Sequence, residues 1–139
     1  MKAFAPKKPR AKTVDREGLE QAALLKELAL RYPAAARLIY HVPNGGHRHK
    51  MVAIKLKAQG VRAGVPDLVL PMARGGYFGL YIEFKAMPPF DAEVSPSQHA
   101  YIQALNEQGY LAVVCRGHID ALEAIRAYLL LDETPRVAA

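Results

Sequence analysis

The sequence predicts an α/β fold, a central mixed sheet with helices packed on it, and three observations carry the prediction. Helical and strand periodicities follow one another in the order α β α β β α β α. Two apolar strand runs flank Arg74-Gly75-Gly76, a hairpin signal. The chain is 139 residues long and 51% hydrophobic, which suits one core and leaves no room for two ordinary domains.

Taken in order, residues 1–14 lack apolar periodicity, contain Pro6 and Pro9 and are basic, so they read as a flexible arm outside the fold. No apolar h-region marks a secretory signal. Asp15 to Tyr32 is helical, with Leu24, Leu25, Leu28 and Tyr32 on one face, and Pro33 discourages continuation. Leu38 to Val42 is a short β-prone run, followed by a turn at Pro43-Asn44-Gly45-Gly46. His47 to Gln59 carries Val52, Leu56 and Gln59 at helical spacing, with Gly60 as a C-terminal cap. Pro66 to Met72 and Gly79 to Ala86 are the two hairpin strands. Ser95-Pro96 opens a helix that Gly109 closes, Tyr110 to Cys115 is an apolar strand, and Ile119 to Leu131 is the last helix. Residues 15–139 thus form one expected domain.

Composition excludes several classes. No apolar run approaches the roughly 18 residues of a bilayer span, so a soluble protein with no membrane partner is expected. The single cysteine, Cys115, can form neither an internal disulfide nor a thiolate metal cage, and it sits in an apolar strand as plain core. A secreted disulfide scaffold and a zinc ribbon are excluded, and a reducing cytoplasm is the expected location. His47 and His49 are two apart, the wrong spacing for zinc ligation from one helix face.

The net charge is +6 and is polarised along the chain. Residues 1–16 carry six cations against Asp15, and residues 38–66 carry five cations and no acid. From Ala86 onward seven acids face three cations. A basic side presented to a phosphate backbone explains this pattern, and an ordinary solvated basic surface is the plainer alternative.

The chemistry concentrates in the hairpin. Period-two alternation in Leu80-Tyr81-Ile82-Glu83-Phe84-Lys85 puts Tyr81, Glu83 and Lys85 on one strand face and Leu80, Ile82 and Phe84 on the other. Asp67 interrupts a second apolar strand. A turn centred on Gly75 makes opposed residue numbers sum to 150, which sets Asp67 across from Glu83. Opposed side chains have Cβ atoms about 4.5–5.5 Å apart. Two carboxylates that close repel unless a cation lies between them, and a divalent metal and Lys85 are the candidates. Separately, Asp67 could be a turn residue after Pro66, and Glu83 and Lys85 a solvated edge.

Pro66-Asp67 followed by Glu83-Phe84-Lys85 resembles the PD-(D/E)XK nuclease signature. Pro43-Asn44-Gly45-Gly46, the run Gly60-Val61-Arg62-Ala63-Gly64-Val65-Pro66-Asp67, and Ser95-Pro96-Ser97-Gln98 ahead of Gly109-Tyr110 are similar to the VRR-NUC family, the virus-type replication-repair nuclease domain. The similarity spans about residues 15 to 131 and describes a stand-alone domain. It implies a restriction-endonuclease-like mixed sheet flanked by helices and metal-dependent phosphodiester cleavage. For stand-alone members it also implies a homodimer acting on branched DNA such as a Holliday junction, in replication, repair or recombination.

The resemblance implies a role for each residue. Asp67, Glu83 and the backbone carbonyl of Phe84 would hold Mg²⁺ or Mn²⁺, since hard cations take oxygen ligands. Lys85 would orient or deprotonate water, or stabilise the transition state. The family also uses a glutamate in the first helix. On a helical wheel Glu17 falls with Gln21, Leu24 and Leu28 on the core-facing side, whereas Glu20 falls beside Glu27 and Arg31, so Glu17 is selected. A bare N-terminal helix acid is the plainer reading of Glu17. Gln98 is explained by a capping box with Ser95, yet the family places a catalytic-site glutamine there. Asn44, Gly45 and Gly46 form either a simple turn or a loop whose amides approach phosphate, backed by the DNA-facing cations Arg48, Lys50, Lys55 and Arg62.

The expected function is thus a Mg²⁺- or Mn²⁺-dependent endodeoxyribonuclease selective for branched DNA. The alternatives are a non-catalytic nucleic-acid-binding module on a nuclease fold, a less selective nickase, and an RNA nuclease. Two symmetric cuts across a four-way junction need two active sites related by a two-fold axis, and one such domain supplies one.

Overall fold

A computed structural model of the chain describes residues 14–43 and 49–137, together with residues 5, 6 and 9. Asn44, Gly45, Gly46 and Arg48, and most of the basic arm, lie outside the described residues. The elements are α1 (Arg16–Arg31), α2 (Pro33–Leu38), β1 (Tyr40–His41), α3 (Lys50–Ala58), β2 (Leu68–Leu70), β3 (Leu80–Lys85), α4 (Pro96–Glu107), β4 (Leu111–Arg116) and α5 (His118–Leu129). The strands form one sheet in the order β1-β2-β3-β4. The β1–β2 and β2–β3 pairs are antiparallel and β3–β4 is parallel, joined by the α4 crossover that a parallel pair requires.

Local chemistry sets each boundary. Asp15 caps α1 by accepting a hydrogen bond from Gly18 N at 2.9 Å. The helix stops at Tyr32 because Pro33 lacks the amide hydrogen that continuation needs. The same proline then starts α2 at a position where its fixed φ is favourable, and Ala34, Ala35 and Ala36 extend it. Helix α2 is an addition to the expected order and takes over Leu38, so the strand anticipated over 38–42 shrinks to two residues. Helix α3 starts at Lys50 rather than His47 and is followed by Gly60 at φ +105°.

The hairpin register has opposed numbers summing to 150: Leu68 faces Ile82, Val69 faces Tyr81 and Leu70 faces Leu80. The turn itself is centred half a residue later. Gly75 and Gly76 both have positive φ and are flanked by an Arg74–Tyr77 bridge, the pattern of a two-residue hairpin turn. The extra residue lies on the β2 side, where Met72 N bonds Leu70 O at 2.9 Å and kinks the chain.

The core lies on one side of the sheet. Leu68, Leu70, Leu80, Ile82 and Phe84 pack with Leu24 and Leu28 of α1, Ala35 of α2, and Ala121, Ile125 and Tyr128 of α5. The Tyr128 hydroxyl donates to Met72 O at 2.6 Å, so this large side chain is buried without an unsatisfied polar end. Among the described residues no helix is long and apolar enough to cross a membrane.

Candidate active site

Glu83 and Lys85 stand on the other face of β3, and they are the only charged side chains among the buried described residues, 2% and 5% exposed. Their burial follows from the position of β3, paired by β2 on one side and β4 on the other. A central strand has no solvated edge, so any charge it carries on a covered face must find partners within the protein.

Those partners come from the crossover helix. Gln98 Nε2 donates to Glu83 Oε1 at 2.8 Å, and Lys85 Nζ donates to Gln98 Oε1 at 3.2 Å. Lys85 Nζ also lies 3.5 Å from Glu83 Oε1. The same Gln98 closes the α4 capping box: its Oε1 accepts from Ser95 N at 2.9 Å while Ser95 Oγ accepts from Gln98 N. The capping box and the contacts with Glu83 and Lys85 are therefore one arrangement. The cap fixes the amide, and the fixed amide holds Glu83 and Lys85 together.

Asp67 immediately precedes β2, and the register extended by one residue sets it opposite Glu83. Its Oδ2 accepts a hydrogen bond from Phe84 N at 2.8 Å, which pins the carboxylate to the neighbouring strand. Burial first, and the Asp67 charge second, push the Glu83 carboxyl up to about 8, with Lys85 opposing. Glu17, in the first turn of α1, is raised for the same two reasons, burial and then Asp67, and is likewise opposed by Lys85. Glu20 acts elsewhere. Both of its carboxylate oxygens accept from Met87 N, at 3.0 and 3.1 Å, and clamp the chain after β3.

Glu83 Oε2 is buried and receives no hydrogen bond among the described residues. Glu83 and Asp67 lie close enough to share a proton while one of them is protonated, and once both are ionised the pair is repulsive and fits a place for a cation. Among the described residues no three His, Cys, Asp or Glu side chains gather into a closed metal cage. Two adjacent carboxylates suit a hard divalent ion that keeps several waters, as Mg²⁺ does.

One contact has no signature in the sequence. His41 Nδ1 lies 3.0 Å from Asp67 O, and in the tautomer that protonates Nδ1 it donates to that carbonyl, so β1 steadies the backbone that carries Asp67. Because the contact is with a backbone carbonyl, no residue pattern could have revealed it.

Comparison with known proteins adds an independent line. The VRR-NUC domain profile matches residues 15–119, most of the chain and all of the cluster just described. The chain belongs to the VRR-NUC family. A solved structure titled as a VRR_NUC domain protein superposes with a TM-score of 0.76 at 30% sequence identity, covering 93% of this chain and 99% of that one. No curated protein sequence matches the chain. VRR-NUC membership gives a nuclease-type fold, and the mixed sheet with its flanking helices agrees with it.

The anticipated DNA-facing residues of this VRR-NUC chain are spread more widely. Lys50 and Lys55 sit on α3, where every residue except Leu56 is exposed. Arg62 follows α3 and its Nη1 donates to the carbonyls of Lys57 at 3.3 Å and Val61 at 3.5 Å. None of the three touches the Glu83 cluster through a hydrogen bond or ion pair.

Proposed function

We propose that this chain is a Mg²⁺- or Mn²⁺-dependent endodeoxyribonuclease that hydrolyses phosphodiester bonds in branched DNA, Holliday junctions among them. The observation that carries this reading is the buried Glu83 carboxylate, held by Gln98 and Lys85 beside Asp67, with one oxygen left without a donor.

Asp67, Glu83 and the Phe84 carbonyl would hold the metal, which when bound lowers the pKa of a water and offsets charge on the phosphate. The remaining steps belong to the chain. Phe84 N–H fixes the Asp67 carboxylate, and Gln98 fixes Glu83 through one end of its amide and Lys85 through the other. An ammonium has three protons. With one directed to Gln98 and one toward Glu83, Lys85 keeps a third to orient the attacking water or a phosphate oxygen. Glu17 completes the acidic side of the site from α1. Arg48, Lys50, Lys55 and Arg62, with the amides of Asn44, Gly45 and Gly46, would receive the DNA backbone.

Two symmetric cuts across a junction further imply a homodimer. Residues 15–139 act in this reading as one nuclease domain in a reducing cytoplasm. The buried Cys115 thiol, pushed up to about 12 chiefly by desolvation, suits that setting as an inert core residue.

The test is a cleavage panel of four-way junction, flap, fork, linear duplex and single strand, in DNA and RNA, with Mg²⁺ or Mn²⁺. The expected result is metal-dependent cutting of branched DNA above all other substrates. Cutting of none would remove the enzyme reading, and equal cutting of all would remove the selectivity. Sedimentation showing only monomer, both free and on junction DNA, would remove the dimer.

A further inference from the structure

We propose that the cavity beside the active site receives one unpaired nucleobase of the DNA substrate, stacked against Tyr101, and so places the neighbouring phosphate at Asp67 and Glu83. The inference rests on the nuclease reading above and deepens it. The cavity encloses about 390 Å³, walled by Val42, Pro43, Leu56, Val61, Val65 and Tyr101, with Gly60 and Arg62 also lining it. That volume is at the small end of the range of roughly 300–1,000 Å³ for small-ligand pockets, the scale of one nucleoside rather than a duplex.

Three walls are continuous with the catalytic cluster. Val65 is two residues before Asp67, Val42 N donates to Asp67 O at 2.7 Å, and Tyr101 is three residues after Gln98 on the same helix. The loop between α3 and β2 is locked onto α4 at Gly64. Its φ is +83°, and a Cβ there would meet Ser97 O at 2.3 Å, so only glycine allows the approach. The relation between cavity and site is therefore rigid.

Charge and shape choose the occupant. A second cavity flanks the site on the α1 side, but its walls carry two acids, Asp15 and Glu17, against one cation, Arg16, a poorer balance for a phosphodiester strand. Among the described residues the Tyr101 cavity has no acid in its lining. Arg62 Nη1 is held by two carbonyls, while Nε and Nη2 carry no hydrogen bond among the described residues and can meet a phosphate. An apolar slot with one aromatic wall and one guanidinium is the pattern that holds a base by stacking and its backbone by charge.

The test uses the full chain with Ca²⁺ in place of Mg²⁺, so that strands remain intact, and two fluorescent probes. One is a fully paired duplex, and the other is the same duplex with a single-nucleotide bulge. Stacking of one base carries about tenfold in affinity or more. Tyr101→Ala is expected to weaken the bulged probe by about that factor, to leave the paired duplex within twofold, and to be rescued by Tyr101→Phe. Val61→Trp fills the cavity from a rim position that is 38% exposed and so does not burden folding, and it should reproduce the selective loss. Equal loss on both probes, no loss on either, or a change of oligomeric state with Val61→Trp would overturn the assignment. Failure of the parent chain to bind either probe, and a four-way junction besides, would overturn the nuclease reading itself.

Discussion

The two faces of β3 are made from six consecutive residues and differ in almost everything except burial. Leu80, Ile82 and Phe84 are at most 1% exposed and join the core shared by α1, α2 and α5. Glu83 and Lys85 are nearly as deeply buried, at 2% and 5%, under α4. The first face stabilises the fold through the apolar area it removes from water. The second works against it, because a carboxylate is buried beside another and one of its oxygens has no donor. Such an arrangement persists where the surrounding fold over-determines it.

If that division holds, substitutions on the two faces should separate activity from stability. The largest effect is expected from Glu83→Gln, which keeps the Gln98 contact in shape but removes the charge. Cleavage of junction DNA should fall about 10³-fold, the scale of losing a principal electrostatic element, while the fold remains intact by circular dichroism. Leu80→Ala, on the apolar face, should do the reverse. It should cost about 2–5 kcal/mol in urea unfolding, and the surviving folded fraction should cleave at near-normal rates. Gly64→Ala should cost about 1–3 kcal/mol, from the positive φ and the collision with Ser97, and lower cleavage as well because it moves the loop before Asp67. Gln98→Ala should cost about 1–3 kcal/mol in unfolding, because the buried Glu83 and Lys85 each lose a partner along with half of the capping box. A cleavage loss of about tenfold should accompany it.

The pH dependence sharpens the same contrast. In the folded chain without metal the Glu83 carboxyl keeps its proton to about 8, against an ordinary value of 4.5. The folded state therefore binds the extra proton between those limits. The contribution is fully present below about 4.5 and is lost as pH rises through about 8, so metal-free stability should decline over that window. Glu83→Gln should flatten this part of the profile.

The two faces were unequally legible in the sequence. Alternation alone sorts Leu80, Ile82 and Phe84 from Glu83 and Lys85, and the numbering of the hairpin pairs Asp67 with Glu83, because a strand has a strict period of two. The double use of Gln98 was visible only as two competing explanations. A cap and a partner for a buried charge leave the same residue at the same place, and only the fold shows that one amide bonds Ser95, Glu83 and Lys85 together. Helix α2 went unseen because Pro33 reads equally as the end of one helix and the start of another. The support that His41 gives Asp67 runs through a backbone carbonyl, and the lock at Gly64 through a backbone close approach, and neither leaves a side-chain pattern.

The central claim is that the polar face of β3 is built for a cation and is destabilised without one. Melting temperatures of the parent chain and of Glu83→Gln at pH 8, each with and without Mg²⁺, test it most directly. The account predicts that without metal the variant melts at or above the parent chain, and that Mg²⁺ raises the parent chain alone. A metal-free variant that melts several degrees below the parent chain, with the same Mg²⁺ response in both, would contradict it.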